Sequence, residues 1–83
     1  MSMETATLTL HCEDVKGIVY QVSRFIFENG CNIINAQQHA EMPDNRFFMR
    51  VHFDCSGMQR TRRELRGGLA ELAAEYGMET SLS

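Results

Sequence analysis

The sequence contains few of the residues that mark specialised small folds. It has no tryptophan, one proline and three cysteines among 83 residues. Cys12, Cys31 and Cys55 form no CxxC pair and have the spacing of neither a zinc site nor a disulfide scaffold. We therefore expect free, mostly buried thiols. The histidines are equally scattered along the chain, so we expect no metal ion, and nothing indicates another cofactor.

A long apolar run and an excess of basic residues are also missing. No stretch approaches the ~20 apolar residues that a membrane helix requires, and the first residues lack the charged and apolar regions of a signal peptide. The formal net charge is −3, so the domain as a whole has no electrostatic footprint for nucleic acid. We expect a cytoplasmic protein that contacts neither membrane nor nucleic acid.

The remaining composition is that of one small globular domain covering residues 1–83. Hydrophobic residues make up 43% and charged residues 23% of the chain, which is ordinary for a folded protein. A chain of this length has a small core, and no metal or disulfide framework supports it. Association with a second copy is therefore plausible.

The first half of the chain shows a strand, a helix and a second strand. Apolar and polar residues alternate over residues 6–12, which predicts a half-buried strand with Ala6, Leu8, Leu10 and Cys12 facing the core. Apolar residues then recur at helical spacing from Ile18 to Ile26, and Asn29-Gly30 ends this helix. We expect Tyr20 and Phe27, which lie off the apolar stripe, either to pack at its margins or to contact another subunit.

The second strand is predicted over residues 31–41, with Ile34, Ala36, Gln38 and Ala40 on one side. A turn at residues 42–45 leads into a third strand over residues 47–54. If the turn centres on residues 43 and 44, Gln37 lies opposite Arg50 and His39 opposite Phe48, unless a bulge intervenes.

After Ser56-Gly57, apolar residues within the range 65–76 recur at the spacing of a second amphipathic helix. Its clustered arginines favour a solvated helix face, and Gly67-Gly68 suggest close packing at that point. Gly77 ends the helix, and residues 78–82 can form a short fourth strand. The order strand, helix, strand, strand, helix, strand predicts an α+β fold of the ferredoxin-like βαββαβ type, with a four-stranded antiparallel sheet and two helices on one face.

The loop between the first strand and the first helix, residues 12–18, is the candidate binding segment. Gly17 lacks a Cβ atom and lets the backbone approach a ligand closely. The first amides of the helix have no partner within the helix and suit a carboxylate or another small anion. On spacing alone, an ordinary strand-to-helix turn remains the simpler interpretation.

Two other functions of this fold agree poorly with the residues. An RNA-recognition module stacks bases on exposed sheet aromatics, whereas only Phe48 is predicted on the open face here. The loop faintly resembles the phosphate loop of acylphosphatases, but Gln21 occupies the position of their arginine, and an amide cannot replace a guanidinium group. No catalytic arrangement can be assembled from the spacing, so we expect no catalytic residues in this segment.

Two motifs, taken together, resemble the ACT domain family. The run Asp14-Val15-Lys16-Gly17-Ile18-Val19 has the Asp-x-x-Gly pattern that opens the first ACT helix. Glu28-Asn29-Gly30-Cys31-Asn32-Ile33-Ile34 has the Gly-x-Asn-Ile pattern that enters the second ACT strand. The resemblance spans the whole chain and implies the predicted ferredoxin-like fold.

The resemblance also implies a site and an assembly. ACT domains commonly pair side by side through the edge of the second strand and bind small amino acids at the interface. On this chain the edge would begin at Asn32. The implied ligand-contacting residues are Asp14, Val15, Lys16, Gly17, Ile18, Asn32, Ile33 and Ile34. Lys16 stands where many family members have proline. Glycine, serine and methionine are candidate effectors, and a dimerisation module without a ligand is the alternative.

A longer stretch, Gly30 to His39 followed by Arg46 to Val51, looks like the N-terminal ACT domains of the formyltetrahydrofolate deformylase family. Those hydrolases release formate from 10-formyltetrahydrofolate in one-carbon and purine metabolism, using a C-terminal formyltransferase-like domain. That catalytic domain is absent from these 83 residues. The resemblance therefore implies a regulatory domain whose partner is a catalytic domain.

Overall fold

The computed structural model describes residues 4–13, 16–41 and 44–83. Within these ranges the chain forms four strands and two helices in the predicted order. Their bounds are β1 Thr5–Glu13, α1 Ile18–Glu28, β2 Asn32–Glu41, β3 Arg46–Asp54, α2 Arg62–Tyr76 and β4 Glu79–Leu82. The predicted α+β ferredoxin-like βαββαβ fold is confirmed. No helix in the described ranges is long and apolar enough to cross a membrane.

The sheet is antiparallel, with strand order β2-β3-β1-β4. Alternate residues of β1 and β3 are buried against the helices, and the intervening residues lie on the opposite surface, here called the open face. The predicted hairpin register is confirmed, because Gln37 lies opposite Arg50 and His39 opposite Phe48. Residues 42 and 43 of the predicted turn lie outside the described residues. Asn45, which follows, has a left-handed φ of 54°.

A β-bulge interrupts β2 and corrects one prediction. Ile33 lies opposite Phe53, whereas Asn35 lies opposite the next residue back along β3, His52, so Ile34 is an extra residue in the ladder. Ala36, Gln38 and Ala40 share the helix-side face of the sheet, as predicted. Ile34 was predicted on the same face, but Ile33 lies there instead, because the bulge shifts the period-two alternation by one residue.

The core lies between the helices and the helix-side face of the sheet. Its buried residues are Ala6, Leu8, Leu10, Cys12, Ile18, Val22, Ile26, Cys31, Phe47, Met49, Val51, Phe53, Cys55, Leu65, Leu69, Met78 and Leu82. The buried side chains of β1 are those predicted, and in β3 the period-two pattern likewise predicts burial of Phe47, Met49, Val51 and Phe53. No buried side-chain nitrogen or oxygen in the described part of the chain lacks a hydrogen-bond partner.

The end of α1 follows the prediction, but part of its surface does not. Asn29 caps the helix and its side-chain amide donates to the carbonyl oxygen of Phe25 at 2.7 Å. Gly30 follows in the left-handed conformation, with φ of 79°. Tyr20 and Phe27 do not pack at the margin of the apolar stripe, because their side chains are 63% and 77% exposed.

The start of α2 is fixed by a capping box that the sequence analysis missed. The Thr61 hydroxyl accepts from the backbone N–H of Glu64 at 3.1 Å, and the Glu64 carboxylate accepts from the backbone N–H of Thr61 at 3.0 Å. These hydrogen bonds to Thr61 lower the pKa of Glu64. Two of the clustered arginines contact strand ends: Arg62 donates to the carbonyl of Thr5 and Arg66 to that of Leu82.

The paired glycines within α2 have different surroundings, which gives a first prediction. A Cβ at Gly67 would have no neighbouring atom within 4 Å, whereas a Cβ at Gly68 would lie 3.0 Å from the ring of Phe25. We expect Gly67→Ala to raise the free energy of unfolding by about 0.5–1 kcal/mol, because alanine loses less conformational entropy in a helix. Gly68→Ala is expected to gain less, because the Phe25 ring must move. Urea unfolding of both variants checks this, and equal gains would contradict the packing at Gly68.

Candidate functional site

The predicted binding loop ends at a glycine whose backbone conformation excludes most other residues. Gly17 is the N-cap of α1 and has φ of 89° and ψ of 3°. Its neighbour Lys16 is exposed, and a Cβ at Gly17 would have no atom within 4 Å. Glycine is required here by the backbone dihedral and not by crowding. Within the described residues, the space beside Gly17 is therefore open.

The first turn of α1 offers backbone donors without an acidic competitor. The first intrahelical hydrogen bond described runs from the N–H of Gln21 to the carbonyl of Gly17, at 3.0 Å. Among the described residues no side chain caps the helix, and its first turn has no acidic residue. The amides at this end point outward, and they carry the positive end of the helix dipole. Ile18 anchors the turn with a buried side chain. Asp14 and Val15 of the predicted site lie outside the described residues.

The second group of predicted site residues begins β2. Asn32 and Ile33 lie opposite Asp54 and Phe53 of β3, and Ile34 is the bulge residue. All ten residues of β2 are exposed, because the strand lies at the edge of the sheet. Ile33 is 36% and Ile34 49% exposed. These residues are accessible to a ligand or to another chain.

The structure does not bring the two groups of site residues together within one chain. Asn32 lies in the same row as Asp54 and Thr5, at the start of β1. The Gly17 loop follows Glu13 at the other end of β1, in the row with Arg46 and Glu41. Between the two groups the chain runs as α1, an 11-residue helix about 17 Å long. The predicted site is divided between opposite ends of the domain.

Topology explains this separation and was available from the sequence. The first strand runs toward the Gly17 loop, α1 runs back, and β2 starts where α1 ends. Any βαβ arrangement of this order places the start of β2 at the opposite end from the loop after β1. Both motifs are recognisable in the sequence, but their separation follows only from the direction of the chain between them.

The exposed large apolar side chains belong to α1 and to the edge strand β2. The large hydrophobic residues that are exposed in the described ranges are Val19, Tyr20, Phe27, Ile33 and Ile34, and all of them belong to α1 or β2. The edge of β2 that faces away from β3 pairs with no strand of this chain. Unpaired backbone groups beside apolar side chains are typical of a surface that another chain covers.

The cysteines are structural. Cys12, Cys31 and Cys55 are buried, as predicted. Burial raises the pKa of the Cys31 thiol and so disfavours the reactive thiolate. No group of histidine, cysteine, aspartate and glutamate side chains in the described part of the chain could hold a metal ion.

Comparisons with known proteins agree with the fold described above. The ACT domain family matches residues 6–67. Formyltetrahydrofolate deformylase of Bacillus subtilis is 40% identical over 77 residues, covering 92% of this chain and 26% of that protein. The crystal structure of a formyltetrahydrofolate deformylase from Pseudomonas syringae superposes with a TM-score of 0.91 at 27% identity, covering 99% of this chain and 28% of that one.

A shorter relative matches over most of its own length. A UPF0237 protein of Neisseria meningitidis is 31% identical over 77 residues, which cover 93% of this chain and 83% of that protein. By contrast, this chain spans about a quarter of the length of the deformylases it matches, over their N-terminal ACT regulatory domain. The family match over residues 6–67, together with the fold, shows that the chain belongs to the ACT domain family.

Proposed function

We propose that this ACT domain forms a side-by-side dimer that binds a small amino acid, and that this binding regulates a catalytic domain. The observation that supports the proposal most is the division of the site. The Gly17 loop and Asn32 lie at opposite ends of α1, an 11-residue helix about 17 Å long. A second chain can supply the missing half at each end.

An antiparallel pairing of two β2 strands provides the required geometry. A two-fold axis through the middle of β2 places the start of one strand beside the end of the other. Asn32 of one subunit then lies near Glu41 of its partner, at the end of the sheet that carries the partner's Gly17 loop. The pairing also satisfies the free backbone groups of the edge and covers Ile33 and Ile34.

The two halves of the site match the two ends of an amino acid. The outward amides at the start of α1 and the helix dipole favour the ligand carboxylate. The ammonium group is bound either by Asp14 or by the side-chain amide oxygen of Asn32 and the carbonyl groups near it. Lys16 is a surface residue beside the carboxylate position. Glycine, serine and methionine are the effectors to test first.

Regulation follows from differential affinity. A ligand held between two subunits stabilises one relative orientation of the domains, and it shifts the equilibrium only by its preference for that orientation. In a protein built like the deformylases, this orientation would set the position of a formyltransferase-like catalytic domain and so control release of formate from 10-formyltetrahydrofolate. The UPF0237 relative, matched over 83% of its length, favours a second candidate: a stand-alone ACT regulator that acts on a separate partner.

The test is a thermal-melt screen of the chain against the common amino acids and folates, with its mass measured in solution. A ligand at about one hundred times its dissociation constant adds about 2.7 kcal/mol. For a domain of this size that raises Tm by about ten degrees or more. A dimer stabilised by one small amino acid supports the proposal. A dimer whose Tm is raised by none of the compounds would indicate a dimerisation module without a ligand. A monomer would contradict the divided site.

Complementation between two defective chains tests the division of the site directly. We expect Asp14→Ala and Asn32→Ala each to abolish the ligand response of the homodimer. A mixed dimer of the two variants, purified through two different tags, is expected to bind one ligand, because one of its two sites contains only wild-type residues. Calorimetric titration measures this stoichiometry. A mixed dimer without binding would place both residues in a site within one chain, and an unchanged response in both variants would contradict the site altogether.

A further inference from the structure

Three neighbouring rows of side chains on the open face of the sheet are defined by the strand register. The first row contains Glu41, Arg46 and Glu13 from β2, β3 and β1. The second row contains His39, Phe48, His11 and, from β4, Glu79. The third row contains Gln37, Arg50, Thr9 and Ser81. A concavity of about 550 Å³ covers the second and third rows, which is within the range of small-molecule sites.

Three aromatic rings form the floor of the second row. The rings of His11 and Phe48 stack with centroids 5.8 Å apart, and those of Phe48 and His39 lie 6.5 Å apart. Phe48 is half-buried among polar neighbours. These rings give a flat apolar surface on an otherwise polar face, and such a surface favours a planar aromatic partner.

Two hydrogen bonds hold the His11 ring in place. Its Nδ1 atom lies 2.9 Å from a guanidinium nitrogen of Arg46, and its Nε2 atom lies 2.8 Å from the carboxylate of Glu79. Because arginine only donates, Nδ1 accepts and the ring proton is on Nε2. Arg46 is thus engaged with His11 and lies between the glutamates of its row. The His11 ring of the second row is therefore held in position without a ligand.

Arg50, in the third row, is differently placed. The residues opposite it, Thr9 and Gln37, are uncharged. Arg50 forms no ion pair or hydrogen bond with any residue in the described ranges. A second concavity of about 280 Å³, lined by Thr7, Asn35, Gln37, Arg50 and His52, adjoins the first at Arg50 and Gln37. A guanidinium group without an anionic partner at the junction of two concavities favours binding of a carboxylate.

We propose that the open face is a second binding site, which takes a small planar aromatic carboxylate. The aromatic part packs on the rings of Phe48 and His39, and the carboxylate pairs with Arg50. Gln37 and Thr9 offer further hydrogen bonds in the same row. This site lies on the face of the sheet opposite the helices, and it needs no second chain. It is therefore independent of the proposed amino-acid site.

Binding of 2-naphthoate, a fluorescent planar carboxylate, to the 83-residue chain tests the proposal. We expect saturable binding, with much weaker binding of the uncharged 2-naphthamide and of the non-planar cyclohexanecarboxylate. Arg50→Gln is expected to weaken 2-naphthoate binding at least about tenfold, because a charge-assisted hydrogen bond is lost. Arg63→Gln, at an exposed position of α2, is the matched control and is expected to leave the affinity unchanged.

Several results would overturn the proposal. These are no saturable binding of 2-naphthoate to the wild-type chain, equal binding of 2-naphthamide, or equal weakening by Arg50→Gln and Arg63→Gln. Circular dichroism of each variant separates loss of the site from loss of the fold. Phe48→Leu keeps an apolar side chain without the ring and is expected to weaken binding several-fold. Tighter binding of a single-stranded RNA decamer with the same Arg50 dependence would make the face a nucleic-acid surface and contradict a small-molecule site.

Discussion

Ala36→Lys is expected to convert the proposed dimer into a monomer. Ala36 lies in the middle of β2, opposite Val51, on the exposed edge strand. In an antiparallel pairing of two β2 strands, the substitution places two ammonium groups close to the two-fold axis. Charged side chains on an edge strand oppose pairing with another strand, and their mutual repulsion adds to this effect.

Sedimentation velocity measures the change, and the stability of the monomer identifies its cause. Ala36 is exposed in the single chain, so Ala36→Lys leaves the core intact and is expected to keep the circular-dichroism spectrum of the fold. Ala70→Lys makes the same change in charge at an exposed position of α2 and is expected to remain dimeric. If Ala36→Lys is still a dimer at micromolar concentration, the interface does not use the edge of β2. Loss of the amino-acid response in a monomeric variant would link binding to assembly.

Phe53→Ala is expected to lower the free energy of unfolding by about 3–5 kcal/mol. Phe53 is among the largest fully buried side chains and lies between Ala6 of β1 and Ile33 of β2 on the helix-side face of the sheet. An 83-residue domain has a total stability of about 4–12 kcal/mol. The substitution therefore removes a large part of the stability, because it leaves a cavity that the surrounding strands cannot close.

Phe48→Ala is the matched control on the same strand. Phe48 lies on the open face and is half-buried, so its loss exposes no core and is expected to cost much less than the loss of Phe53. Urea unfolding of both variants gives the comparison. Equal losses would contradict the assignment of the two faces of β3.

The sequence predicted the layers of the fold because period-two and helical patterns report which side of an element is buried. Ala6, Leu8, Leu10 and Cys12 alternate cleanly, and all four are in the core. The hairpin register followed from the position of one turn. The bulge at Ile34 could not be predicted in this way, because two adjacent isoleucines fit either phase of the alternation. The capping box at Thr61 and Glu64 was readable, since Thr-x-x-Glu is its sequence pattern.

The relation between the predicted site residues depends on the fold and could not be taken from the motifs alone. The left-handed conformation of Gly17 agrees with the expected role of a glycine at the loop. The distance between Gly17 and Asn32 depends on the direction of three successive elements, which motif matching ignores. The open face shows a further limit. Phe48 was expected there as a lone aromatic residue, but its contacts with His11 and His39 depend on the register of three strands.

The extra residue in β2 also bears on how this sequence can change in length. Loss of Ile34 would leave Asn32 opposite Asp54 and Asn35 opposite His52, since neither pairing includes the bulge residue. Loss of a residue within 35–41 would instead shift the pairing of part of the strand by one residue and turn the side chains of that part to the opposite face of the sheet. We therefore expect a one-residue gap in relatives of this chain to be tolerated at Ile34 and not in the rest of the strand. Alignments of the family should place such gaps at this position.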